Sequence, residues 1–279
     1  MPAPADSLDP RWTLRQGDCL EVLAQLNDAS VDLVYVDPPF NSGVARKGRA
    51  GLQFADRFVD AAAYRNFLAP RLAAMHRVLK PTGSILVHVD WHTSHHVRLL
   101  LDEVFGPAAF VNHLVWSYGL GGSGPRSFAR KHDDIFFYGR TGDYWFEPPR
   151  VPARSARLRG RTKKATDVIE IASINNMAFE RTGYPTQKPI ALLSLLVRAC
   201  CKPGGTVLDP TCGSGTTLVA AVESNRIAIG IDQSSDALRI ARQRLERVCN
   251  GTAVRVPTLR VARASASARP APPPLARSA

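Results

Sequence analysis

Val31 to Val36, VDLVYV, is a near-continuous apolar run that stops at Asp37-Pro38-Pro39. Such a run predicts a strand buried on both faces, ended by prolines that cannot donate to a ladder. Similar runs predict strands at Trp12 to Arg15, Ser84 to Val89, Thr206 to Leu208 and Arg226 to Ile231, with two more at Val111 to Trp116 and Ile135 to Tyr138. Helical spacing appears between them. Leu20, Leu23 and Leu26 share one face, and Asp60 to Leu79 reads as a helix that Pro70 should kink or divide. Ser94 is placed to cap a helix ending at Gly106-Pro107, and further helices are expected at 188–200, after Gly215 and at 234–248. Lys80-Pro-Thr-Gly83 and Lys202-Pro-Gly-Gly205 read as turns. Strands alternating with helices predict a doubly wound, mostly parallel α/β sheet, here over residues 11–256. Residues 1–10 read as a flexible leader. The stretch 141–182 has no clean period and reads as a small basic insertion, and 257–279, rich in Ala, Arg, Ser and Pro, as a disordered basic tail.

Charge adds a partner to this picture. Lys plus Arg number 36 against 24 Asp plus Glu, a formal charge of +12. Arginine supplies 29 of those cations, which favours planar contacts to phosphates or base edges. The five cysteines contain no C-x-x-C pair, a pattern that fits a reducing cytoplasm. The first ten residues lack the segments of a signal peptide, and the apolar run Ile190 to Cys201 is too short to span a bilayer, so no membrane is expected. His88, His92, His95 and His96 cluster without metal-ligand spacing, so no metal is assigned. Asp90, Trp91 and His92 are instead candidates for the substrate side of a crevice.

Two segments carry chemistry. TVLDPTCGSGTT places Asp209 at a strand end and Gly213 and Gly215 in the turn before a helix, where a ligand can approach the backbone. No Gly-Lys-Ser/Thr follows, and Leu218 stands where a third dinucleotide-loop glycine would be. Asp232 ends the next strand, placed either to accept from ribose hydroxyls or to cap the following helix. The second segment is Asp37-Pro38-Pro39-Phe40. Its prolines remove amide donors, so a carbonyl and the Asp37 carboxylate together can grip both hydrogens of an exocyclic NH2, with Phe40 stacked on the ring that bears it. Two acceptors stabilise positive charge on that nitrogen as it attacks a methyl group. No Pro-Cys pair follows a strand, which argues against the covalent route to cytosine carbon 5.

DPPF at 37–40, VLDPTCGSGTT at 207–217 and GYPTQKP at 183–189 resemble, in that order, motifs of the amino-group DNA methyltransferases. That family methylates adenine N6 or cytosine N4, and this order is that of its circularly permuted beta group. The resemblance spans roughly residues 12 to 250 and implies a Rossmann-like methyltransferase sheet with S-adenosyl-L-methionine as cofactor. By the same resemblance, Asp18 lies beside the cofactor adenine and Asp232 holds the ribose. Asp209, Gly213, Ser214, Gly215 and Thr216 line the methionine end, and Lys188 approaches its carboxylate. Thr186 is a candidate cap for the helix after Lys188. Thr211 departs from the aromatic usual at its position, a change expected to affect affinity before activity. The Asp of DPPF leans toward adenine over cytosine.

The expected partner is double-stranded DNA, with a homodimer and a cognate restriction endonuclease as further candidates. Arg150, Arg154, Arg157, Arg159, Arg161, Lys163 and Lys164 form an acid-free basic block where the family places target recognition. Arg46, Lys47 and Arg49, just after the catalytic motif, are candidates for a lip that contacts DNA while the target base is turned out.

Overall fold

The computed structural model describes residues 9–41, 46–47, 53–54, 57–119, 124–153, 157, 159–175 and 178–251. The chain opens with β1 (Trp12–Gln16), α1 (Cys19–Leu23) and β2 (Val31–Val36), followed by the short antiparallel pair β3 (Arg46–Lys47) and β4 (Gln53–Phe54). Next come α2 (Ala61–Val78), β5 (Leu79–Val89), α3 (Ser94–Phe105), β6 (Phe110–Ser117) and β7 (His132–Gly139). Three short strands follow, β8 (Arg150–Pro152), β9 (Thr162–Lys164) and β10 (Val168–Glu170). The last stretch is α4 (Ile190–Cys200), β11 (Thr206–Asp209), α5 (Thr216–Glu223), β12 (Ile227–Asp232) and α6 (Ser235–Cys249). The expected leader lies outside the described residues except for its last two, and the expected tail lies wholly outside them.

Eight strands form one sheet in the order β1-β12-β11-β2-β5-β7-β6-β10. Neighbours pair in parallel except β5–β7 and β7–β6. All six residues of β2 are buried, because helices cover both faces. Leu33 and Tyr35 point into the core with α4, α5 and α6, while Val34 and Val36 point into the core with α1, α2 and α3. That alternation is the period-two geometry of a strand. Among the described residues, no helix is long and apolar enough to cross a membrane.

Several local expectations give way to tertiary contacts. Helix α2 runs unbroken through Pro70, with Tyr64, Leu68, Leu72 and Met75 buried on one face. Burial of four such side chains, about 1.5–3 kcal/mol each, outweighs the roughly 3 kcal/mol that an interior proline costs. Lys80–Gly83 is no separate turn but a bulge within β5, where Val31 pairs with Leu79 and Leu33 already pairs with Ser84. The buried Asp32 carboxylate holds that bulge, accepting from Lys80 Nζ at 2.6 Å and from the Thr206 N–H at 2.9 Å. Thr93, not Ser94, sits at the cap of α3 and makes no side-chain cap bond. The Asp90 carbonyl accepts from the N–H groups of Thr93 and Ser94 instead. Thr186 does not cap α4: Pro189 holds the cap position, and the Glu180 carboxylate accepts from the Ile190 N–H at 2.9 Å. The insertion 141–182 is more regular than its sequence suggests, since β8 pairs with β9 and β10 joins the main sheet beside β6.

Candidate active site

Four neighbouring parallel strands, β1, β12, β11 and β2, end on one edge of the sheet. Each delivers a carboxylate there: Asp18 just after β1, Asp232 and Asp209 as the last residues of β12 and β11, and Asp37 just after β2. With about 4.8 Å between strands, the row spans roughly 14 Å. All four line one cavity of about 560 Å³, within the range of small-molecule sites. Pro38, Pro39, Phe40, Lys188, Gly213, Ser214 and Thr216 line it as well. Gly215 does not, and it acts by shaping the turn.

The glycine turn follows from two backbone requirements. Gly213 has φ +50°, and a Cβ there would come within 2.9 Å of the Tyr184 ring. Its N–H donates to Asp232 Oδ2 at 2.8 Å, while the Ser234 N–H donates to Oδ1 at 2.9 Å. Asp232 therefore ties two turns together, and burial raises its pKa against those two donors. The cap of α6 is Ser234, whose side chain accepts from the Ala237 N–H. Gly215 has φ +75°, and a Cβ there would fall 2.7 Å from that of Ala241 on α6. Gly215→Ala should thus cost about 2 kcal/mol through left-handed strain and a clash with the α6 backbone. Denaturant unfolding would measure it, and an unchanged midpoint would refute the packing argument. Arg244 of α6 braces the turn from behind, donating to the Ser214 carbonyl at 2.7 Å and to Thr216 Oγ1 at 2.9 Å.

At the far end of the row, Asp18 caps α1 through the Leu20 N–H at 2.8 Å. Its other oxygen accepts from Arg71 at 2.7 Å and Gln233 Nε2 at 2.9 Å. Burial opposes its charge, but the Leu20 amide and the Arg71 guanidinium outweigh it and hold the pKa below the usual value. Arg71, Phe58, Phe67, Tyr184 and Gln233 all line the cavity and were not singled out from the sequence. Helix periodicity marks Phe67 and Arg71 only as neighbours on one face, and nothing local directs that face toward Asp18.

The DPPF segment sits at the opposite end of the row, after β2. Lys188 Nζ donates to Asp37 Oδ2 and lies 5.2 Å above the Phe40 ring. GYPTQKP presents this lysine through the Gln187 side chain. Its Oε1 accepts from the Thr182 N–H at 2.8 Å and the Thr182 hydroxyl at 2.7 Å, and its Nε2 donates to the Glu180 carbonyl at 2.6 Å. The Thr211 hydroxyl donates to the Asp37 carbonyl at 3.2 Å, joining the glycine turn directly to DPPF. Behind DPPF, Phe40 stacks on the buried His88 with ring centres 6.2 Å apart. His88 Nδ1 meets the Tyr35 hydroxyl at 2.7 Å, and Nε2 lies 3.2 Å from Asp133 Oδ2.

A family model described as DNA methylase, covering N6 and N4 methylases, matches residues 31–243, from the start of β2 into α6. The chain belongs to this DNA methylase family. The methylase is 29% identical over 258 residues to the DNA adenine methyltransferase YhdJ of Escherichia coli K12, covering 84% of this chain and 82% of that protein. It is 28% identical over 239 residues to the type II methyltransferase M.HpaI of Haemophilus parainfluenzae, covering 84% and 74%. Its fold matches the cytosine-N4-specific PvuII DNA methyltransferase at TM-score 0.64 and 18% identity, over 86% of this chain and 93% of that one. M1.HpyAVI in complex with SAM matches at TM-score 0.60 and 22% identity, over 84% and 98%.

The expected DNA-binding residues of the methylase stand apart from its cavity. Arg150, Arg157, Arg159, Arg161, Lys163 and Lys164 are exposed, and none lines it. The chain enters this block from the opposite edge of the sheet, where the Trp145 N–H donates to Thr82 and the Glu147 N–H to Ala199. Arg49 and Arg154 lie outside the described residues, as do the side chains of Arg46 and Lys47 in β3. Asp90, Trp91 and His92 do not line the cavity either, although they follow the carboxyl end of β5.

Proposed function

We propose that the protein transfers a methyl group from S-adenosylmethionine to adenine N6 in duplex DNA, at a base turned out of the helix. The observation that carries this reading is the shared cavity of Asp37 and the Gly213–Gly215 turn. The cavity suits the cofactor in kind. Asp232 offers carboxylate oxygens for ribose hydroxyls, and Phe58 and Phe67 give an apolar wall near Asp18 for an adenine ring. Gly213, Ser214 and Thr216 face the methionine portion, where a side chain on Gly213 would collide with Tyr184. Lys188, which lines the cavity beside Asp37, offers an ammonium to the cofactor carboxylate. Bound there, the cofactor supplies an electrophilic methyl group.

The rest of the work falls to DPPF. An exocyclic amine conjugated with its ring is a weak nucleophile. The Asp37 carboxylate, accepting one of its hydrogens, favours a more tetrahedral nitrogen and stabilises the positive charge that grows there. A proline-flanked carbonyl accepts the second hydrogen, and Phe40 stacks on the base. Extrusion is required because a paired, stacked amine cannot reach Asp37. The basic block from Arg150 to Lys164 adds long-range attraction for the polyanion.

Asp as the first residue of DPPF, together with the similarity to an adenine methyltransferase, favours adenine. Cytosine N4 is the second reading, since the same carboxylate can grip either amine and the PvuII fold match is cytosine-specific. Unmethylated DNA incubated with protein and cofactor, digested and analysed by mass, should contain N6-methyldeoxyadenosine. N4-methyldeoxycytidine alone would replace the first reading with the second.

A further inference from the structure

The described residues of the connection from β6 to β7, 118–119 and 124–131, stand on the same edge of the sheet as the cavity. β7 runs antiparallel to β5, so Asp134 pairs with Val89 at the carboxyl end of β5, while Val36 of β2 pairs with Val87. Two strand spacings put the start of β7 roughly 10 Å from Asp37. The two are also linked through side chains. Phe40 stacks on His88, His88 meets Asp133, and Asp133 Oδ1 accepts from the Tyr118 hydroxyl at 3.3 Å.

This connection has an unusual surface. From Gly119 to His132 the sequence carries three cations and no acid. Arg126 and Arg130 are exposed, and Phe128 between them is 98% exposed. The Arg130 guanidinium lies 3.9 Å over the ring of Trp91, itself 44% exposed just after β5. Bare aromatic rings contribute nothing to the core, and their placement among arginines suits a partner with phosphates and flat bases.

We propose that Trp91, Arg126, Phe128 and Arg130 form a contact surface for duplex DNA beside the target base. The two arginines hold phosphates, and Phe128 enters the base stack where the extruded base has left it. This rests on the DNA methyltransferase reading. It assigns the close contact to Arg126, Phe128 and Arg130, while the Arg150–Lys164 block, of which no described residue lines the cavity, attracts at longer range.

The test uses the full chain and a fluorescein-labelled duplex of mixed sequence, with affinity measured by anisotropy across a salt series. Transfer of labelled methyl to genomic DNA and calorimetric binding of S-adenosylhomocysteine are measured in parallel. R126A/R130A should lower the slope of log affinity against log salt by about 2. F128A should leave that slope unchanged and reduce transfer roughly tenfold, with F128W restoring it. S-adenosylhomocysteine binding should be unchanged in every variant, which separates a lost contact from a lost fold. If the wild type methylates DNA and R126A/R130A keeps its full salt slope, the surface is wrong and the methyltransferase reading stands. Full transfer by F128A overturns the stacking role. A wild type that neither binds nor methylates DNA overturns both readings.

Discussion

Asp37→Ala is expected to reduce methyl transfer about a thousandfold, the scale seen when one transition-state partner is removed from a preorganised site. The carboxylate is the only acidic group of the DPPF segment, and it is held between the Lys188 ammonium and the edge of the cavity. In the proposed reaction its oxygens stabilise positive charge that exists on the amine only as the new bond forms, so the loss should fall on kcat more than on KM. Asp37 makes no contact with the row's other end, where Asp18 is fastened by Leu20, Arg71 and Gln233. Binding of S-adenosylhomocysteine should therefore stay within a few-fold of wild type, and so should DNA binding. Single-turnover transfer with calorimetry measures both. Transfer within tenfold of wild type would remove Asp37 from the chemistry.

Asp209→Asn should change stability in a pH-dependent way. Burial is the main cause that lifts the Asp209 pKa from 3.8 to about 7, with the nearby Asp37 and Asp232 charges adding to it. The Thr217 hydroxyl and the Thr211 amide oppose the shift. The sign follows from proton counting. Between these two values the folded protein holds a proton that the unfolded chain has released, so stability falls as pH rises through the interval. It levels off above about pH 7, where both states are ionised. A shift of this size corresponds to about 4 kcal/mol over the whole interval, of which about 2 kcal/mol lies between pH 5.5 and 7. Asn keeps an acceptor for the Thr211 amide and carries no charge. The variant should thus lose this part of the pH dependence and melt roughly 5 °C or more above wild type near pH 8. Melting curves from pH 5.5 to 8 would show it, and parallel curves for the two proteins would mean that Asp209 is ionised throughout at no cost.

The elements that could be read from the chain are those whose signals are local. β2 occupies Val31–Val36, the span of its apolar run, because the prolines after it end the ladder wherever the strand lies in the sheet. The glycine turn was legible for a similar reason, since Gly213 and Gly215 adopt positive φ that other residues reach only with strain. Where a local signal competed with packing, packing won. Pro70 leaves α2 whole because residues on both sides of it are buried on one face, and Lys80–Gly83 joins β5 because Asp32, on the neighbouring strand, holds Lys80. The amide of Ile190 is capped by Glu180, ten residues upstream, which no adjacent-residue rule would select.

The candidate site divides along the same line. By itself the sequence determined which groups are present: a proline-fixed carboxylate, a glycine turn after a buried strand, an acid ending the next strand, and a surplus of arginine. Only the tertiary structure decided that β11 lies beside β2, which brings Thr211 to the Asp37 carbonyl and Lys188 to its carboxylate across 151 residues of chain. It also turned Arg71 and Phe67 of α2 toward Asp18, and raised Phe128 and Arg130 on the edge that carries Asp37. A strand end can be read from its own residues because it is set by nearest neighbours. Which strand ends share a cavity depends on sheet order, and burial of both faces together fixes that order for the whole chain at once.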